Sequence, residues 1–265
     1  MGRLEGKKAV ITGGAGDIGR VVAALFVAEG ARVVLVDREQ RRLEAVAAEV
    51  AENSGLKGEA ASAAVSGVVA DVTVAESVRA YVDAAVTRMG GIDVFVNNAA
   101  IEGEVAPIEE ADEELFEQVM AVNVKGVWLG LQQVMPVMRE TGGGSIILAS
   151  SVAGLEGYRE MGAYVTSKHA LVGLMRTAAL EGAEYGIRVN TVHPAPVDSR
   201  MMRSIEAGLV PDDAEKARAA IGRGIPMKRY ATADDVAGMM LFLAGDESAF
   251  CTGDTLSVDG GVTAG

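Results

Sequence analysis

Two habits alternate along this chain: short, continuous runs of branched apolar residues, and longer stretches with apolar residues three and four positions apart. KKAVIT (7–12) is a run of the first kind and stops at glycines. IGRVVAALFVAEG (18–30) is of the second kind and ends at a glycine. RVVLVD (32–37) is apolar almost throughout, as a parallel strand covered on both faces must be. The same reading predicts a charged amphipathic helix over 38–52, a strand over 66–72 and a helix over 74–89. It then predicts a strand over 92–100, a long helix over 112–139 disturbed near Pro136, and a strand over 144–151. A long helix over 161–186, a strand over 187–194, a helical stretch near 233–244 and a strand over 255–258 complete the series. Strand and helix in regular turn imply an α/β fold: a single Rossmann-type, doubly wound parallel sheet of about seven strands with helices on both faces. No repeat or linker divides residues 1–265. The irregular region at about 196–225 has no strand and reads as a mobile helical flap.

Charge changes the picture by exclusion. The chain carries 24 basic and 37 acidic residues, net −13. A nucleic-acid ligand needs a basic face, and no local run supplies one, so no nucleic-acid partner is expected. The acidic runs 109–117 and 211–215 read as helix starts favoured by the helix dipole. Two histidines and one cysteine make a His/Cys zinc site improbable, so no metal is expected. No apolar run reaches the roughly 18–20 residues that span a membrane. Met1–Gly6 is short and polar, and a cytoplasmic location without a leader is the expectation.

The first βα turn reads Thr12-Gly13-Gly14-Ala15-Gly16-Asp17-Ile18-Gly19. Glycines there let the backbone turn sharply and approach a diphosphate, while the next helix aims its free N–H groups at it. Asp37 ends the second strand, 18 residues after Gly19. Its carboxylate suits the ribose hydroxyls of the adenosine and repels the extra phosphate of NADP. NAD is therefore the expected cofactor, with Arg38 as a counterweight toward NADP. Asp17 is unexpected beside a diphosphate and reads as the N-cap of the helix starting at Ile18. Farther on, Tyr164 and Lys168 stand four apart on a predicted helix and share a face. A lysine ammonium, together with an oxidised nicotinamide, favours a phenolate and fits Tyr164 for proton transfer. Ser151 ends the fifth strand, where open α/β sheets place ligands.

Taken together these motifs resemble the short-chain dehydrogenase/reductase family, the roughly 250-residue type. TGGAGDIG (12–19) is similar to the family's TGxxxGxG, and NNAA (97–100) to its NNAG. Asn123, Ser151, Tyr164 and Lys168 match its Asn-Ser-Tyr-Lys tetrad, with the familiar 13-residue step from Ser151 to Tyr164. RVNTVHPAPVDS (188–199) and SVDGG (257–261) match later landmarks. The resemblance implies that Tyr164 is the acid/base, that Lys168 lowers its pKa and holds the nicotinamide ribose, and that Ser151 orients the substrate oxygen. It implies that Asn123 opens its helix to anchor a water relay, and that Asp71 and Val72 meet the adenine. Gly13, Ile18, Gly19, Asn98, Ala99 and Pro194 would line the cofactor. Val197 would hold the carboxamide through its backbone, with Ser199 near the diphosphate or amide. Asp17, Ala100 and Ala195 each replace a family glycine. His193 reads as structural and His169 as packing. A homotetramer is the family-level expectation.

The substrate end is least legible. The turn after strand four, the loop 152–161 and the flap supply Ile101, Glu102, Val152, Leu155, Tyr158, Met161, Met201, Met202 and Ile205. Methionines suit an adaptable apolar pocket, although they could equally pack the flap. The reading is an oxidoreductase transferring hydride between NAD(H) and a hydrophobic secondary alcohol or ketone, cyclic or aromatic. Two alternatives remain: a 3-oxoacyl thioester reductase using NADPH, and a non-catalytic dinucleotide-binding regulatory protein.

Overall fold

A computed structural model describes residues 2–265, apart from the side chain of Ser62. β1 (Lys8–Thr12) runs into α1 (Asp17–Ala28), and β2 (Arg32–Asp37) into α2 (Gln40–Asn53) and a short α3 (Glu59–Ala64). β3 (Val65–Val69) is followed by α4 (Ala75–Met89). After β4 (Val94–Asn97) come α5 (Glu113–Met120), a π-helical turn at Ala121–Lys125, and α6 (Gly126–Thr141). β5 (Gly144–Ala149) leads through a 3₁₀ turn at Val152–Gly154 to α7 (Gly162–Gly182). β6 (Ile187–Pro194) precedes α8 (Arg200–Leu209), α9 (Ala214–Gly224) and α10 (Ala233–Ala244), and β7 (Thr255–Val258) closes the sheet.

The strands pair in parallel in the order β3-β2-β1-β4-β5-β6-β7. Successive residues of a strand face opposite sides, and both sides are covered. Ala9, Ile11, Val33 and Leu35 pack under α1, α2 and α10. Val10, Val34, Val36 and Phe95 pack under α4, α6 and α7. That double burial is why these strands are continuously apolar. The winding direction reverses between β1 and β4, which opens a crevice beyond the carboxyl ends of those two strands.

Helix starts follow the acidic signals. Asp112 caps α5 by accepting from the Leu115 N–H at 2.9 Å, and Asp213 caps α9 from Lys216 at 3.0 Å. Several boundaries differ from the sequence expectation. β3 ends at Val69, so Asp71 and Val72 lie in the following turn. The long helix expected over 112–139 is interrupted by the π turn around Asn123, and Pro136 sits inside an unbroken α6. Pro136 is exposed, so water can satisfy the carbonyl that the missing N–H leaves free. The flap region holds two helices, α8 and α9.

Candidate active site

Tyr164 and Lys168 stand one turn apart on α7, and both are buried. The Lys168 ammonium donates to the Ala149 carbonyl at the end of β5 (2.8 Å) and lies 5.4 Å from the Tyr164 ring centre. Burial pushes Lys168 down to about 8. It pushes Tyr164 up to about 12, with the Glu102 carboxylate adding to the rise and the neighbouring Ser151 hydroxyl opposing it. In the protein alone desolvation governs the phenol, and the lowering that opposes it comes from Ser151 rather than from Lys168. Tyr164 is held as a neutral phenol beside Ser151.

Asn123 is buried in the π turn. Its amide nitrogen donates to the Ile101 carbonyl (2.9 Å) and to the Ser167 hydroxyl (3.0 Å), and its oxygen accepts from the Ile101 N–H (2.9 Å). The side chain thus ties the loop after β4 to the helix carrying Tyr164. His193 is wholly buried behind Ser151. Its Nδ1–H donates to the Ser151 carbonyl at 2.7 Å, while Nε2 meets the Thr191 hydroxyl at 2.8 Å. The exposed His169 turns back to the Val165 carbonyl, off the catalytic face.

A groove of about 210 Å³ runs from this cluster to Asp37. Gly13, Gly16, Asp17 and Ile18 form its floor beside Asn98, Ala99, Ala100, Pro194, Ser199 and Arg200. Gly13 is left-handed (φ +62°), and a Cβ there would meet Ala99 at 2.9 Å. A Cβ on Gly19 would meet the Gly13 carbonyl at 2.3 Å, so this glycine lets α1 seat against the turn. The first N–H groups of α1 have no acceptor within the helix and face the groove. Residues and shape fit a dinucleotide.

The predicted cofactor residues take varied places. The Asp37 carboxylate accepts from the Ala15 N–H at 3.1 Å. The Asn98 amide donates to the Thr12 and Gly13 carbonyls (3.3 and 3.2 Å), bracing the glycine turn from β4. Val197 is buried, and its neighbours Pro196 and Asp198 bond to Ala231, so strand alternation turns its own N–H and C=O the other way. Asp71 spends its carboxylate on the Thr73 N–H and hydroxyl (2.8 and 2.7 Å), which lowers its pKa. Neither Asp71, Val72 nor Arg38 lines the groove; Arg42 of α2 does, donating to the Ala15 carbonyl at 3.3 Å. Asp17 does not cap α1, whose N-cap is Gly16. It accepts instead from the Arg200 N–H at 2.7 Å and so caps α8 beside Ser199.

On the other side of Tyr164 and Ser151 opens a cavity of about 580 Å³. Val152, Tyr158, Met161, Met201, Met202 and Ile205 line it as expected, along with Leu209, Ile221, Ile225 and Val262. Ile101, Glu102 and Leu155 do not line it. The Ile101 backbone is held by Asn123, and Glu102 is buried against Arg200. The sequence reading did not name Arg42, Ile221, Ile225 or Val262. The helical spacing of apolar residues in α8 and α9 was the available signal for the isoleucines.

Residues 13–263 match the family model described as "Enoyl-(Acyl carrier protein) reductase" of the short-chain alcohol dehydrogenase type. The chain belongs to the short-chain dehydrogenase/reductase family. It is 37% identical to levodione reductase of Leifsonia aquatica, over 99% of this chain and 96% of that one. The crystal structure of levodione reductase superposes with a TM-score of 0.94 at 36% identity, covering 98% of this chain and 99% of the other. Trans-4-hydroxycyclohexanecarboxylate dehydrogenase of Sinomonas cyclohexanicum is 38% identical over 99% of this chain and 95% of its own length. The structure of NAD⁺-bound xylitol dehydrogenase superposes with a TM-score of 0.88 at 32% identity, covering 96% of this chain and 98% of that chain. As a member of this family the protein is an oxidoreductase. Among the described residues no helix is long and apolar enough to cross a membrane, and no His/Cys/Asp/Glu group is arranged to hold a metal.

Proposed function

We propose that this oxidoreductase transfers hydride between NAD(H) and a hydrophobic, cyclic or aromatic secondary alcohol or its ketone. One observation carries the reading: Tyr164 is shared between a polar groove that ends at Asp37 and a large apolar cavity, and Ser151 lines the cavity beside it. A reacting carbon placed there would meet the nicotinamide from one side and the phenol from the other. Bound NAD supplies the hydride acceptor, and NADH the donor.

The residues of the chain do the rest. Ser151 donates its hydroxyl to the substrate oxygen and sets its distance from the phenol. In reduction the neutral Tyr164 gives its proton to the oxygen as negative charge develops there. In oxidation the phenol must first lose that proton, and the positive charges of Lys168 and of an oxidised nicotinamide favour this. Lys168, fixed by the Ala149 carbonyl, also holds the nicotinamide ribose. Val197 offers its free N–H and C=O to the carboxamide. Asp37 accepts from the adenosine ribose and disfavours a 2′-phosphate. The cyclohexane ring named for the trans-4-hydroxycyclohexanecarboxylate enzyme supports a ring-shaped substrate.

A thioester reductase using NADPH is the second reading, and Arg42 beside Asp37 is what favours it, since a guanidinium there could pair with a 2′-phosphate. Tyr164→Phe tests the catalytic assignment. The alcohol oxidation rate should fall about 10²- to 10⁴-fold with NADH binding retained, and wild-type rates in the variant would sink it.

A further inference from the structure

One ionic bridge joins the two walls of the cofactor groove. Ala99 and Ala100 belong to the β4 wall, and Ser199, Arg200 and Met201 to the flap wall. Two residues beyond Ala100, the buried carboxylate of Glu102 accepts both terminal nitrogens of Arg200, at 3.0 and 3.2 Å. A third segment joins them, because Asp17 of the glycine turn accepts from the Arg200 backbone N–H at 2.7 Å. The first residue of α8 is thus fixed by its backbone to the phosphate turn and by its side chain to the β4 loop.

Such anchoring leaves donors to spare. A guanidinium has five N–H groups in a rigid fork, and the bridge to Glu102 occupies only two of them. The Arg200 side chain is 61% exposed while Glu102 is 10% exposed, so the cation stands at the groove with its counter-ion behind it. Charge makes this placement matter. The groove contains the carboxylates of Asp17 and Asp37, and a diphosphate brought between them needs a compensating cation. Of the basic residues lining the groove, Arg42 lies at the Asp37 end and Lys168 at the Tyr164 end, bonded to Ala149. Arg42 also bonds to the turn, through the Ala15 carbonyl, but Arg200 is the one held at Asp17, the first residue of α1.

We propose that Arg200 is a ligand of the cofactor diphosphate, oriented by Glu102 and Asp17, and that through it the flap is tied down over the bound dinucleotide. This rests on the proposed function in requiring a dinucleotide in the groove. It explains how a carboxylate at position 17 is compatible with diphosphate binding: Asp17 is engaged by the α8 backbone and holds the neutralising cation in place.

The test is calorimetric binding of NADH, ADP-ribose and adenosine to wild type, Arg200→Met and Arg200→Lys, with no substrate and no turnover. A lost charge-assisted contact corresponds to roughly 10-fold or more in affinity. Arg200→Met should therefore weaken NADH and ADP-ribose by about that factor, leave adenosine unchanged, and flatten the dependence of ADP-ribose affinity on salt; Arg200→Lys should fall between. Wild-type affinity for ADP-ribose in Arg200→Met overturns the proposal. An equal loss for adenosine also overturns it, since Arg200 would then only be holding the fold. Failure of wild type to bind any of the three would instead reject the dinucleotide reading itself.

Discussion

At the scale of single residues, the site is governed by what burial does to two ionisable groups. Lys168 sits near 8 in the folded protein against 10.5 for an ordinary lysine. Between those values the unfolded chain binds a proton that the folded one does not, so stability rises with pH across that window. Below pH 8 both forms are protonated and the full cost of burying the charge remains. Lys168→Met should therefore melt higher than wild type at pH 7, by roughly 2–4 °C per kcal/mol recovered, with the gap closing toward pH 10. Thermal scans against pH check this, and a variant that melts lower at pH 7 would show that the Ala149 bond outweighs the desolvation. Asp37→Ser should bring the NADP and NAD affinities together, measured as the ratio of their dissociation constants, if its carboxylate is what repels a 2′-phosphate.

The candidate residues of the tetrad were legible because their spacing is local: Tyr164 and Lys168 share a face by helix geometry alone. Their partners were not. Glu102 and Arg200 lie 98 residues apart, and Asp17 and Arg200 lie 183 apart. Nothing in a one-dimensional pattern pairs them, so the sequence points to Asp17 as the cap of its own helix, whereas it caps α8.

At the scale of elements, the π turn is where pattern and structure part. Pro136 is the visible helix breaker in the sequence, yet α6 runs through it. The interruption falls at Asn123, whose side chain satisfies both backbone groups of Ile101. Periodicity cannot show that, because a one-residue bulge hardly shifts the apolar spacing; the family resemblance supplied it. Asn123→Ala leaves the part-buried N–H and C=O of Ile101 without their partner, at up to about 1–3 kcal/mol for each group left unsatisfied. Denaturant unfolding should register a loss of that size, and a loss under 0.5 kcal/mol would mean that the π turn holds without its side chain. The strands were readable because double burial makes them apolar throughout. The ends of β3 and β4 were not, because apolar residues continue past each strand, Ala70 and Val72 after β3 and Ala99, Ala100 and Ile101 after β4.

At the scale of the whole molecule, exposed apolar side chains remain where a sheet packed by helices does not need them. Ile108, Phe116 and Trp128 lie on the α5–α6 side, and Leu180 and Phe250 on α7 and the turn before β7. Where such residues form a contiguous patch they mark an association surface, and a homotetramer is the assembly proposed from the family. Light scattering at micromolar concentration should give about four times the 27.3 kDa chain mass, and Trp128→Glu should lower it; a stable monomer in the wild type would refute the assembly. The flap helices α8 and α9 complete the apolar cavity.

The most direct measurement is NADH formation at mildly alkaline pH, with NAD and separately with NADP, across cyclohexanol, 1-phenylethanol, cyclic diols, hydroxysteroids and a 3-hydroxyacyl thioester. Turnover of a cyclic or aryl alcohol with NAD, and little with NADP, is the predicted result. Activity mainly with NADP and the thioester would contradict it, and would mean that Arg42 outweighs Asp37 and that the cavity serves an acyl chain.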